Sequence, residues 1–182
     1  MNHLGTVTLE TERLILREFA PEDAVPMYKN WASDPEVTAF LTWPPHASLH
    51  ITEEVIRQWI RGYQKPDFYE WAIELKELGQ AIGSISVVEH DNDVGRCHIG
   101  YCLGKEWWHK GIMTEALGAV MTFLFDHVQA SRIEARHDTR NPRSGAVMVK
   151  CGMVFEGTHR QSDRNNQGIC DAAWYAALRS DR

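Results

Sequence analysis

The chain reads as a single α/β domain, with a mixed, mostly antiparallel sheet of about six to seven strands and about four flanking helices. Three observations predict this. Segments of alternating apolar and charged residues, such as Arg13-Leu-Ile-Leu-Arg-Glu-Phe19, read as strands. Stripes at 3.6-residue spacing, the clearest being Leu117, Val120, Met121, Leu124, Phe125 and Val128, read as helices. The two kinds of segment follow one another in the order βααβββαβαββ, with no repeat and no linker between them.

The first strand runs from Arg13 to Phe19. Pro21-Glu22-Asp23 then opens a helix to about Trp31, with a proline at an early position and acids in the first turn. Residues 34–48 contain Pro35, Pro44 and Pro45 and are expected to be loop at least in part. A second helix begins at Ser48 and carries Ile51, Val55, Ile56, Trp59, Ile60 and Tyr63 on one face. Residues 70–75, 80–89 and 96–103 form three strands. The short polar turns between them imply an antiparallel meander. A glycine-containing junction, Gly104 to Gly111, leads to the third helix. A strand from Arg132 to His137 follows. A fourth helix begins at Asn141-Pro-Arg-Ser144, with Ser144 expected as its N-cap and Gly152 just past its end. Two strands, about 154–162 and 169–178, close the chain around the turn Arg164–Gly168.

At 182 residues the chain is long enough to bury a core without disulfides or metals. Twenty-five acidic against 19 basic residues give a net charge of −6, which disfavours nucleic acid and suits a cationic substrate. No run of about 18 apolar residues occurs, so no membrane span is expected. Met1 to Glu10 lacks a basic region followed by an apolar run, so no signal peptide is expected. Cys97, Cys102, Cys151 and Cys170 form no Cys-x-x-Cys pair, and the nine histidines show no zinc-ligand spacing. Scattered thiols of this kind predict a reduced, cytoplasmic protein without a metal.

The segment Gly104-Lys-Glu-Trp-Trp-His-Lys-Gly-Ile-Met-Thr-Glu-Ala116 carries the most chemistry. A strand end, a glycine loop and a helix N-terminus leave backbone N–H groups free to bind an anion such as a diphosphate. Gly111 permits close approach, and His109 and Lys110 can add positive charge. The same pattern also fits an ordinary strand-to-helix turn. It is neither a Walker A loop nor a dinucleotide fingerprint.

Trp108-His-Lys-Gly-Ile-Met-Thr-Glu-Ala116 resembles the acetyl-CoA signature of the GCN5-related N-acetyltransferases (GNAT superfamily), closest to the branch that acetylates ribosomal-protein N-termini. Leu9-Glu-Thr-Glu-Arg-Leu-Ile-Leu-Arg17, Ile99-Gly-Tyr-Cys-Leu-Gly104, Asn141-Pro-Arg-Ser144, Lys150-Cys-Gly-Met153 and Asp171-Ala-Ala-Trp-Tyr-Ala-Ala-Leu178 resemble further segments of that branch, in order along nearly the whole chain. Met113 stands where the family pattern has Gly or Ala, and its side chain either crowds the diphosphate or points away from it.

The resemblance implies a cleft between two splayed parallel strands, opened by a bulge around Tyr101-Cys102-Leu103, into which the pantetheine arm of acetyl-CoA enters. It implies cofactor contacts from Cys102, Leu103, His109, Lys110, Gly111, Ile112, Met113, Thr114, Asn141 and Ser144. A backbone amide near Cys102 or Leu103 would polarise the acetyl carbonyl, and Ser144 would protonate the departing thiolate. Asp163 falls where the branch carries an acidic residue paired functionally with that serine. Glu70, Glu89, His137 and a water chain are the alternative bases. Trp43, in the loop between the first two helices, and Tyr175, in the last strand, are the substrate-side aromatics, and each also reads as a core residue. No cysteine sits in an acyl-carrier motif, so direct transfer in a ternary complex is expected. The acceptor is a primary amine, either a peptide N-terminus or a small molecule, and the protein a monomer or homodimer. The alternative is a CoA-binding module of the same fold without catalysis.

Overall fold

The computed structural model describes residues 1–182. Eight strands form one sheet in the order β1-β2-β3-β4-β5-β6-β8-β7. They are β1 (Leu9–Glu10), β2 (Leu14–Arg17), β3 (Glu70–Leu75), β4 (Gln80–Asp91), β5 (Arg96–Leu103), β6 (Arg132–Asp138), β7 (Val154–Asn165) and β8 (Gly168–Leu178). The helices are α1 (Ala24–Met27), α2 (Pro35–Thr38), α3 (Leu49–Gly62), α4 (Ile112–Asp126) and α5 (Pro142–Lys150). None is long and apolar enough to cross a membrane.

The sheet has one or two strands more than the sequence predicts, because the N-terminal segment folds back on itself. Thr11 breaks it: its amide donates to the Leu14 carbonyl (3.0 Å), and its hydroxyl accepts from the Leu14 amide (3.0 Å). The side chain thereby offers the backbone a turn in place of a continuous ladder. The proline-rich loop also holds a helical turn, α2, capped by the Asp34 carboxylate accepting from Glu36 N (2.8 Å). The helical stretch from Pro21 widens at its end, where Ser33 N reaches back to the Tyr28 carbonyl (3.2 Å). The last hairpin is tighter than expected: β7 runs on to Asn165, whose side chain accepts from Gln167 N (2.8 Å).

Strand alternation sorts the sheet into two faces. Trp71, Ile73, Ile82, Ile85, Ile99 and Ile133 pack with the apolar stripe of α4, forming the main core. Phe19, Met27, Trp31, Ile56 and Ala72 form a smaller core under α1 and α3 on the other face.

All strand pairs are antiparallel except β5 with β6. That parallel pair holds for three residues only, Arg96↔Arg132, Cys97↔Ile133 and His98↔Glu134. Glu134 ties this closed end together, accepting from Arg96 (2.9 Å) and Arg132 (2.8 Å). Beyond it the strands separate. The expected bulge is not at Tyr101–Leu103, which pair regularly with Ile85–Gly83. It lies on β4, where Val88 is the extra residue between the pairs Val87↔Ile99 and Glu89↔His98. An extra residue bends and twists the ladder locally, and here it sits level with the last β5–β6 pair.

Candidate active site

The gap opens toward the C-terminal ends of β5 and β6, and each strand leads there into a helix N-terminus, α4 and α5 respectively. Gly104 N donates to Ile82 O (2.9 Å), so alternation turns the Tyr101 and Leu103 amides toward β6, where no strand pairs with them. The Leu103 carbonyl on that side is occupied by the Trp108 indole N–H (2.7 Å). Of the two expected oxyanion donors, the amide that points into the gap is thus that of Leu103 rather than Cys102.

The loop before α4 meets the requirements of an anion cradle. His109 and Gly111 adopt left-handed backbone angles, φ 62° and 74°. None of the backbone N–H groups of residues 109–114 donates within the chain. The loop is held from behind by a clamp. The Glu115 carboxylate accepts from the Thr11 hydroxyl (2.6 Å), Arg13 N (2.9 Å) and Arg13 Nε (2.7 Å), while Arg13 Nη1 donates to the Lys110 carbonyl (2.8 Å). Burial alone would raise the Glu115 carboxyl; these donors outweigh it and hold the group below its usual value. No local pattern announces this clamp, because its halves lie about a hundred residues apart. His109 and Lys110 are exposed, whereas the side chains of Ile112 and Met113 enter the main core. Met113 therefore points away from the loop and leaves its amide free.

At the start of α5 the expected cap is corrected. Pro142 occupies the first helical position, which makes Asn141 the cap residue and places Ser144 inside the first turn. The Asn141 side chain makes no hydrogen bond in the chain. The Ser144 hydroxyl donates to Tyr101 Oη (3.0 Å), and Tyr101 Oη donates to the Ser144 carbonyl (2.9 Å). Burial raises the Tyr101 phenol well above its usual range, so it remains protonated. Tyr101 thereby joins β5 to α5 across the gap. Arg143 lies over the Trp108 ring, 5.6 Å from its centre, and spans the same opening.

The other face of the gap carries Gly100, Cys102 and Ser84. Burial pushes the Cys102 thiol up to about 11, so it is not a thiolate near neutral pH. Its Sγ lies 3.5 Å from the Ser84 hydroxyl. On this side the β7–β8 hairpin tip meets the loop after α2. Asn166 N donates to Leu41 O (3.2 Å), and its side-chain amide donates to Thr38 O (2.8 Å) and Trp43 O (2.7 Å). Trp43 thus stands on the side opposite α4 and α5, packed against the smaller core.

Tyr175 does not. Its ring stacks on His137 (5.6 Å) beneath α5 and packs against the main core, away from Trp43. It is Trp174, one residue earlier, that faces the other side, beside His98 and under Arg136. Asp163 lies on the outer strand β7 and pairs with Arg136 (2.6 Å). Burial would raise its carboxyl, but Arg136 and the Arg164 amide hold it below its usual value, which makes it a weak base. Glu89 pairs with Arg96 at the surface (2.5 Å). His137 gives Nδ1 to the Asp138 carbonyl (2.8 Å), and its Nε2 is sealed without a partner against Gly145 of α5. Of the acidic and basic alternatives only Glu70 is unpaired. It is buried on the Ser84 face and has no cation beside it.

Comparison with known proteins agrees with this geometry. Residues 13–154 match the family model described as an acetyltransferase (GNAT) domain. The chain is 29% identical over 174 residues, 96% of its length and 97% of the relative's, to an uncharacterized N-acetyltransferase, p20, of Bacillus licheniformis. Over 61 residues, 34% of this chain and 31% of the relative, it is 36% identical to the [ribosomal protein uS5]-alanine N-acetyltransferase of Escherichia coli. The structure of the microcin C7 self-immunity acetyltransferase MccE, solved with acetyl-CoA and AMP, superposes with a TM-score of 0.81 at 20% identity, covering 92% of this chain and 93% of that one. With a family match over most of its length, a sheet split between β5 and β6, and an open amide loop at the mouth of that split, this chain belongs to the GNAT family of acetyltransferases.

Proposed function

We propose that this acetyltransferase takes its acetyl group from acetyl-CoA and passes it directly to a primary amine, either a protein N-terminus or a small-molecule amine. The observation that carries the reading is the continuity of the gap: unpaired β5 amides lead straight to the row of free N–H groups at residues 109–114. The loop would offer a diphosphate its free N–H groups, with the N-terminus of α4 behind it. The exposed His109 and Lys110 side chains and the amides of Gly111, Ile112, Met113 and Thr114 would hold the phosphates. The Leu103 amide and the free Asn141 side chain would hold the pantetheine end. Cys102 contributes through its place in the strand, since its side chain lies on the other face.

Acetyl-CoA supplies an activated thioester. The chain supplies orientation, an amide aimed at the carbonyl oxygen, and a hydroxyl at Ser144 to return a proton to the sulfur. Tyr101 fixes that hydroxyl and shares its proton. The un-ionised Cys102 supports direct transfer over an acyl-enzyme. Trp43 and the hairpin tip would border the acceptor. The match to a uS5-alanine N-acetyltransferase supports a peptide N-terminus as the first acceptor to try. The decisive experiment is thermal melting with acetyl-CoA, CoA and ATP. A ligand that binds only the native state must raise the transition. A rise with acetyl-CoA and CoA but not ATP is expected; no rise at saturating acetyl-CoA would overturn the reading.

A further inference from the structure

Glu70 is anomalous as a structural residue. It is 8% exposed, its Oε1 is sealed from solvent, and no hydrogen bond satisfies that oxygen. No arginine, lysine or histidine pairs with it. A buried carboxyl with one oxygen unsatisfied and no cation beside it is costly, and folding alone gives no return on it. The titratable groups near it are the Tyr63 phenol, from the end of α3, and the Cys102 thiol on β5; neither is a cation.

Its position relates it to the gap. Glu70 opposes Ser86 on β4, and Ser86 opposes Gly100 on β5; in the next row Ala72, Ser84 and Cys102 stand in line. These residues share the sheet face opposite α4 and α5. Ser84 lies between Glu70 and Cys102, with its hydroxyl 3.5 Å from Cys102 Sγ. A polar path therefore runs from the splayed end of β5, past Ser84, to an isolated carboxyl. Beside this path Gly100 lets the Val88 side chain pack close to the strand: an added Cβ would meet Val88 Cγ1 at 2.8 Å.

We propose that Glu70 is the proton acceptor for the amine substrate, reached through the Ser84 hydroxyl, and that this carboxyl selects acceptors arriving as ammonium ions. The proposal rests on the acetyl-transfer reading above. In the step, the ammonium nitrogen gives one proton by way of Ser84 to the Glu70 carboxylate. The nitrogen lone pair forms the N–C bond to the acetyl carbon, the C–S bond breaks with its electron pair on sulfur, and the sulfur takes up a proton from Ser144. The nitrogen's remaining surplus proton leaves to solvent, and the Ser144 hydroxyl regains its proton from solvent. Burial also tunes the carboxyl as a base. It pushes Glu70 up to about 8, against a smaller pull downward from the Ser84 and Ser86 hydroxyls. A base with that value is matched to an amine near neutral pH.

The test uses the full chain with alaninamide as the acceptor probe. Carboxyl ¹³C NMR should show Glu70 titrating near 8, and alaninamide added with CoA bound should lower that midpoint, because a cation beside the group favours its charged form. Glu70→Gln should keep the acetyl-CoA melting rise, lose about 100-fold in CoA release, and lose the rise in rate with pH through about 8. Ser84→Ala should slow transfer about tenfold while the Glu70 midpoint remains raised. A Glu70 midpoint in the ordinary carboxylate range, a midpoint indifferent to alaninamide, or a Glu70→Gln variant with wild-type rate and pH profile would each overturn the proposal. Wild-type rate in Ser84→Ala would remove the path through that hydroxyl. Absence of any acetyl-CoA melting rise in the wild type is a separate outcome and sinks the acetyl-transfer reading itself.

Discussion

Replacing Glu115 by Ala should loosen the amide loop from behind without touching any group that faces the gap. The side chain accepts three hydrogen bonds at 2.6–2.9 Å, and its other link to Arg13 is an ion pair of 2.7 Å. Bonds to a charged acceptor contribute roughly 1.5–3 kcal/mol each when shielded. Arg13 is 41% exposed, however, and solvent-screened pairs contribute only about 0–1 kcal/mol. The Thr11 hydroxyl also keeps its bond to Leu14 N in the variant. A net loss of about 2 kcal/mol follows, which in a domain of this size lowers Tm by roughly 4–8 °C. Arg13 then has no reason to stay against the Lys110 carbonyl, and residues 109–111 lose their fixed geometry. Acetyl-CoA affinity should fall about tenfold, roughly 1.4 kcal/mol. Isothermal titration with acetyl-CoA, beside denaturant melts of the free protein, measures both quantities. The stability difference has a definite pH sign. Glu115 is held below its usual value, so its contribution is present at neutral pH and is lost as pH falls through the folded-state value. A variant that is destabilised but binds acetyl-CoA with wild-type affinity would refute the clamp as a positioning device.

Gly111→Val should cost roughly 1–2 kcal/mol, because φ of 74° disfavours a side chain, and should weaken CoA binding more than about tenfold; unchanged affinity in titration would remove the loop from the cofactor site. The nearest atom to an added Cβ is Arg13 Nη2 at 3.5 Å, so the strain there is conformational rather than steric. Ser144→Ala should cost about 1 kcal/mol for the lost bond to Tyr101 and should lower kcat with little change in KM for acetyl-CoA; a loss confined to the melting temperature would mean the hydroxyl only ties α5 to β5. Asp163→Asn should destabilise by about 1 kcal/mol at neutral pH, through the lost pair with Arg136, and the difference should vanish as pH falls through the depressed carboxyl value. Its pH–rate profile should match the wild type, and a displaced limb would restore Asp163 as the base.

The sequence by itself determined which segments form strands and helices and in what order, because alternation and 3.6-residue stripes are local. It also located the loop of free amides, since Gly111 and the start of α4 are adjacent in the chain. Local rules failed where a side chain competed with the backbone: Thr11 turned the segment ahead of the expected strand back on it as a short extra strand, and Pro142 moved the cap from Ser144 to Asn141. The cleft itself needed tertiary structure. The strands part level with a bulge in β4, a neighbouring strand, at Val88. The division of roles among acids was likewise invisible in one dimension. Asp163 is neutralised by Arg136 and Glu89 by Arg96, partners that only sheet pairing and hairpin turns bring near. Glu70 is left alone because no cation lies on its part of the face, and burial there sets its chemistry. Tyr175 and Trp174 differ by one position and so fall on opposite faces of β8, which no composition or spacing could assign to one side of the gap or the other.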